Sequence, residues 1–175
     1  MANVDNPFGF LPVADEGGGG FYTRMYIHAA ADTVALGIGD LVDITGAADT
    51  VAQAVAGGPF LGVSRAHTLA SVLQSNHPVV KLNQTMVLVG KEDSVGGAIA
   101  AASEGLNCDI IVTTTASTTT GLSGMEIDSS TAATTSTLDS RLLGLYASPD
   151  NAQGVDARWL IKINDLREAD LKAGL

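Results

Sequence analysis

Arg158-Trp159-Leu160-Ile161-Lys162-Ile163 is the stretch on which the fold class turns. Trp159, Ile161 and Ile163 alternate with Arg158, Leu160 and Lys162, a period of two that suits a strand with one buried face. Trp159 is expected in the core, because a large aromatic on the inner face of such a strand packs inward. Upstream, Leu142-Leu143-Gly144-Leu145-Tyr146 reads as its hairpin-like partner, with Pro149-Asp150-Asn151 supplying the turn.

Working outward, the same signal recurs in short pieces. Phe21 to Ile27, Leu41 to Thr45, Phe60 to Ser64, Pro78 to Leu82, Thr85 to Val89 and Asp109 to Val112 are rich in strand formers and cut by Gly turns. Thr50 to Ala56 fits strand or helix on periodicity alone. Short strands at these spacings predict a mainly β chain, a small β-barrel or sandwich, rather than repeated βαβ units. One short helix is expected over Val95 to Gly105, ended by Gly105. The tail from Asp165, with Glu168 and Lys172 four apart, predicts a last helical turn or two. The Thr- and Ser-rich tracts at 113–120 and 129–137 bury little and read as loops. Residues 1–20 read as an extended arm, kept from helix by Pro7 and Pro12 and hinged at Gly17 to Gly20. Residues 21–175 then form a single β-rich domain.

Composition narrows the function classes. The chain has 175 residues, 46% hydrophobic with mean hydropathy +0.25, so it folds around a core built mainly from aliphatic side chains. Charged residues make up only 16%, which suits a surface that packs against neighbours. Net charge is −10, and the nine Lys and Arg form no basic cluster, so nucleic acid is not an expected partner. The same sign repels anionic membranes. No apolar run approaches the roughly 20 residues of a membrane span. Met1 to Asp5 lacks the basic and apolar regions of a signal peptide, so export by the usual route is not expected. Cys108 stands alone and is expected to be a small buried hydrophobe.

Chemistry-bearing motifs are scarce. His28, His67 and His77 show no ligand spacing and read as surface or turn residues. No Gly-x-Ser-x-Gly elbow frames a serine. Gly90 to Gly97 has the glycines of a phosphate loop but Ala98 where the cation would stand, and reads as a solvated turn. Glu92-Asp93 and Asp15-Glu16 are adjacent pairs whose side chains diverge. The expectation is a binding protein without catalysis, cofactor or metal.

Several blocks carry a resemblance. Asn6-Pro7-Phe8-Gly9-Phe10-Leu11-Pro12-Val13 opens the series. Gly105-Leu106-Asn107 with Asp109 to Val112, and Gly121 to Ala132, follow it. Arg141-Leu142-Leu143-Gly144-Leu145, Pro149-Asp150-Asn151 and Trp159 to Asn164 close it. In this order they resemble the capsid cement, or decoration, proteins of tailed bacteriophages, and the likeness weakens between about Ala47 and Gly90. The resemblance implies a small β-barrel of the β-tulip kind. It also implies assembly as trimers, less often dimers, on the outer capsid surface after synthesis in the bacterial cytoplasm. The implied partners are the major capsid protein and further copies of the chain. The arm then becomes the expected capsid-binding element, through Asn6, Pro7, Phe8, Phe10, Leu11 and Pro12, adding a strand to an exposed sheet edge with Phe8 and Phe10 as anchors. Rival expectations are another virion part, a head–tail connector or tail protein, and a carbohydrate-binding module. The single Trp and three Tyr offer the last few stacking platforms.

Overall fold

A computed structural model of the chain describes residues 3–46, 49–112 and 114–167. The strands among them are β1 (Phe10–Asp15), β2 (Thr23–His28), β3 (Leu41–Ile44), β4 (Thr50–Gln53), β5 (Gly62–Ser64) and β6 (Gln74–Lys81). They continue with β7 (Met86–Lys91), β8 (Asn107–Cys108), β9 (Ile110–Ile111), β10 (Glu126–Ile127), β11 (Ser140–Leu145) and β12 (Arg158–Ile163). The chain is mainly β, as its alternating and β-branched stretches predict.

Two assemblies share the strands. β2 to β6 close a barrel in the order β2-β4-β3-β5-β6, in which only β2 and β4 run parallel. β1, β7, β12, β11 and β8 form an antiparallel sheet in that order, and β9 pairs with β10 beside it. The expected pairing of β11 with β12 is present, Leu142 opposite Ile161, with a bulge between Leu142 and Gly144. Trp159, Ile161 and Ile163 face inward. Cys108 is fully buried, and burial first of all pushes its thiol up to about 12, so it is inert as a nucleophile.

The barrel interior holds Tyr26, Leu36, Val42, Val51, Leu61 and Val79. Its outer side toward the sheet contributes Leu41, Val63, Val80 and Leu82 to a second, larger core. Phe10, Leu88, Ile127, Trp159 and Ile161 complete that core from the sheet side, so the two assemblies are one body.

Three expectations are corrected. First, residues 1–20 are not a free arm, because β1 is an edge strand of the sheet, paired with β7 from Phe10 opposite Gly90 to Asp15 opposite Met86. The apolar residues between the prolines serve the chain's own core. Gly17 to Gly20 connects the sheet to the barrel. Second, Val95 to Gly105 is not an α-helix; only Ala101–Ser103 makes a 3-10 turn. Gly96 and Gly97 lack helix propensity, and the Ile99 amide is drawn to the buried Glu92 carboxylate at 3.0 Å. Third, Lys91, Glu92 and Asp93 are not a solvated turn: all three are buried. The Ser/Thr tracts are loops over 114–120 and 129–137, apart from one bridge between Ala133 and Asn107. The expected tail pair Glu168 and Lys172 lies outside the described residues.

Candidate functional site

The segment expected to bind a partner divides into two faces. Phe10 is 1% exposed, its ring lying over Gly90, where an added Cβ would come within 2.4 Å of the ring. Pro12 is buried too. Asn6 and Leu11 are exposed, and Pro7 and Phe8 half-buried. Gly9 (φ +71°) and Gly39 (φ +95°) let the chain cross so closely that a Cβ on Gly39 would sit 2.3 Å from the Phe8 carbonyl. The Phe10 amide donates to the Gly39 carbonyl at 2.8 Å, Pro12 has no N–H, and the pairing shifts between Pro12 and Ala14. Such an edge is poorly suited to receive or become an added strand. Strand addition by residues 6–13 is therefore corrected: what this segment offers outward is side chains. Phe8 and Leu11 line a shallow groove of about 230 Å³ with Val89, Tyr146 and Arg158. The Arg158 guanidinium lies 5.8 Å over the Tyr146 ring and binds Asp150 at 2.5 Å.

Behind that groove lies a cluster that sequence reasoning missed. Lys91, at the end of β7, is 2% exposed. Its ammonium reaches Asp5 Oδ1 at 2.7 Å, Glu126 Oε1 at 2.6 Å and Asp156 Oδ1 at 2.9 Å. Burial opposes the Lys91 charge, but the hydrogen bonds to the three carboxylates together outweigh it and hold the amine above the ordinary lysine range. Glu126 is raised, by burial more than Lys91 lowers it. Next to them Glu92 Oε2 accepts from Trp159 Nε1 at 2.9 Å and from the Ile99 amide, while Oε1 has no partner; burial pushes its carboxyl up to about 7. Asp93 Oδ1 accepts from the amide and hydroxyl of Ser129. A cleft of about 190 Å³ between Asn3, Asn6, Phe8 and Lys91 opens on this cluster, smaller than ordinary ligand pockets. Asn3 closes its rim by binding the carbonyls of Ala152 and Val155. The cluster is a clamp: one cation ties the N-terminal segment, β10 and the turn before β12. No local signal marked it, since Gly90 before Lys91-Glu92-Asp93 reads as a turn, whereas β7 runs through Gly90 to Lys91.

The chain matches no family model, no curated protein and no solved structure.

Two of the three histidines require a correction, while His67 stands half-buried in a loop. His28 and His77 are fully buried at one end of the barrel, ring centroids 6.3 Å apart. His77 lies 2.9 Å from Ser64 Oγ and 3.0 Å from Thr68 Oγ1. His28 lies 3.1 Å from the Val72 carbonyl and 3.3 Å from Asp32. Burial, and then the neighbouring His28, lowers His77 to about 4. These groups satisfy the barrel's interior polarity. Among the described residues, no group of three His, Cys, Asp or Glu could hold a metal ion, and no helix is long and apolar enough to cross a membrane.

Charge is divided unequally between the assemblies. Residues 21–82, the barrel and its loops, carry four carboxylates and three Lys or Arg. The remainder carries fifteen carboxylates and six cations. The barrel is nearly neutral, and of that remainder thirteen carboxylates and five cations lie on described residues of the sheet half.

Proposed function

We propose that the chain is a capsid cement protein of a tailed bacteriophage. It binds the outer surface of the major capsid protein lattice, bridges neighbouring capsomers and stabilises the mature head, as an oligomer (a trimer by the family resemblance) and without catalysis or cofactor. The observation that carries the reading concerns the blocks that resemble cement proteins. Residues 10–13 in β1, 141–145 in β11 and 159–163 in β12 belong to one five-stranded sheet, β11 beside β12 and β1 one strand away across β7, with Asn107 at the far edge, while 110–111 and 126–127 form the two-stranded sheet β9–β10 beside it. The stretch where the likeness weakens, about Ala47 to Gly90, holds β4, β5 and β6 of the barrel and runs on into β7 of the sheet. A shared sheet face, rather than scattered core residues, is what common contact with a lattice would preserve.

In this reading the contacts on the capsid are Asn6, Phe8 and Leu11, together with Tyr146 and Arg158 around the groove. Phe10 and Pro12 hold that face in place from behind. Several copies engaging several capsomers gain avidity, so each contact can be weak. Preference for the mature lattice then stabilises it by mass action.

The test is co-sedimentation of the purified protein with mature capsids stripped of it. Saturable binding at hundreds of copies per particle, with a raised capsid melting temperature, is expected, and Leu11→Asp should weaken it without unfolding the protein. A folded protein that sediments with no capsid form would overturn the reading.

A further inference from the structure

The barrel carries an apolar face that nothing among the described residues covers. Along β2, Tyr26 and His28 point into the barrel, so Met25 and Ile27 point out; Met25 is 55% exposed. Pro78 on β6 stands opposite Met25. The loop entering β6 reaches the same end, because the Val72 carbonyl meets His28 and Gln74 pairs with it. That loop adds Leu69, Val72 and Leu73, the last 61% exposed, and Phe21 flanks β2 at the other end.

Two properties identify what covers this face. The first is area: these six side chains expose on the order of 500 Å², about the apolar share of one side of a standard protein interface. The second is charge. Copies of a chain with net charge −10 repel one another, and the sheet half holds most of the excess. Beside the barrel face, Arg24 is paired with Asp49 within the chain, and Asp32 lies 3.3 Å from the buried His28 ring. The barrel is thus where two copies approach at least electrostatic cost, holding their acidic halves apart.

We infer that the outer face of β2 and the 69–73 loop form the surface through which copies of this chain associate. This deepens the cement reading, on which it rests for the role of the oligomer, and it leaves the sheet face free for the lattice. A basic or apolar partner of another kind on the barrel face is an outcome that the test below separates.

The experiment is sedimentation equilibrium of the full-length protein over a wide concentration range. Its variants are the pair Met25→Glu with Ile27→Glu, Leu73→Glu alone, and Val95→Glu as a control at an exposed apolar position outside the patch. Folding is followed by the fluorescence of Trp159, which lies in the sheet half. Wild type and the Val95 variant should associate alike. The paired variant should weaken association by about a hundredfold or more, as loss of a central hot spot does. Leu73→Glu lies in a loop and keeps the test decisive if the paired variant fails to fold. A wild type that is monomeric throughout, or folded patch variants that associate as wild type does, would overturn the inference. An associating wild type that ignores capsids would remove the cement reading alone; a monomeric wild type that coats capsids would remove only this inference.

Discussion

The barrel and the five-stranded sheet solve the same packing problem with opposite means. The barrel closes on itself, so it has no strand edge to protect, and its interior polarity is held in two hydrogen-bonded networks around His28 and His77. The sheet stays open, and its two edges are guarded: β1 by Pro12, a bulge and the Gly39 contact, β8 by being two residues long. It also buries full charges, with Lys91 holding three carboxylates at once. Closure makes a barrel insensitive to what lies outside it. An open sheet depends on its last strand, and here that strand is the N-terminal segment, fastened from behind by Phe10 and from the side by Asp5 and Asn3. The unequal surfaces follow from this. The neutral barrel can leave apolar side chains exposed, whereas the acidic half presents a polar face with one small apolar groove.

The largest expected effect tests that dependence on β1. Phe10→Ala removes a fully buried ring from the larger core and should cost about 3–5 kcal/mol in urea unfolding, with the slope on denaturant unchanged. A segment that merely rested on the sheet would lose well under 1 kcal/mol when truncated. That result would return the N-terminus to the status of an arm.

Next comes the difference between a buried and an exposed ion pair. Lys91→Met keeps the volume but leaves Glu126 and Asp156 facing each other without a cation, and should cost about 3 kcal/mol. Arg24→Met on the barrel breaks a pair whose partners are both about half exposed, and should cost under about 1 kcal/mol. Equal losses at the two sites would show that the Lys91 cluster is screened by water, contrary to its 2% exposure. Because the clamp also holds Asp5, the Lys91 variant should open the segment around Asn3 to proteolysis before global unfolding.

How much of this was legible in the sequence follows one rule: period two could be read, partnership at a distance could not. The β12 stretch announced its own inner face, and Trp159, Ile161 and Ile163 occupy it. Cys108 was legible because a lone free cysteine behaves as a small buried hydrophobe. The cement-like blocks were legible as blocks, though nothing local said that β1, β11 and β12 would share one sheet with β7 set between β1 and β12. The 1–20 segment was misread because prolines and glycines mark extended backbone, and an extended segment is equally an arm or an edge strand until Gly90 is known to receive the Phe10 ring. Lys91, Glu92 and Asp93 were misread because a run of charges is solvated by default. Their partners Asp5, Glu126, Ser129 and Asp156 lie 35 to 86 residues away. The buried histidines failed for the same reason: Ser64 and Thr68 are ordinary residues until the barrel closes.

The smallest expected effect distinguishes the two assemblies by pH. His77 in the barrel has its folded pKa lowered from 6.5 to about 4, so the folded chain binds fewer protons there than the unfolded chain. Its contribution is full above about pH 6.5 and is lost as pH falls from there through 4. Glu92 in the sheet half is raised from 4.5 to about 7, so the folded chain binds more protons there. Its contribution is full below about pH 4.5 and is lost as pH rises through 7; Asp40, raised to about 6 by burial, adds the same sign. The two windows overlap and their slopes oppose, so between about pH 4.5 and 6.5 the contributions of His77 and Glu92 largely cancel. His77→Gln should therefore leave stability falling as pH rises from about 4.5 to 7, through Glu92 and Asp40. Glu92→Gln, which keeps an acceptor for Trp159 Nε1, should shift the slope the other way, towards stability that rises with pH up to about 6.5. Urea midpoints measured across this range decide the matter. If either substitution shifts the slope in the opposite sense, the protonation states assigned to the two groups are reversed; if neither changes it, both groups exchange protons with solvent as freely in the folded chain as in the unfolded one.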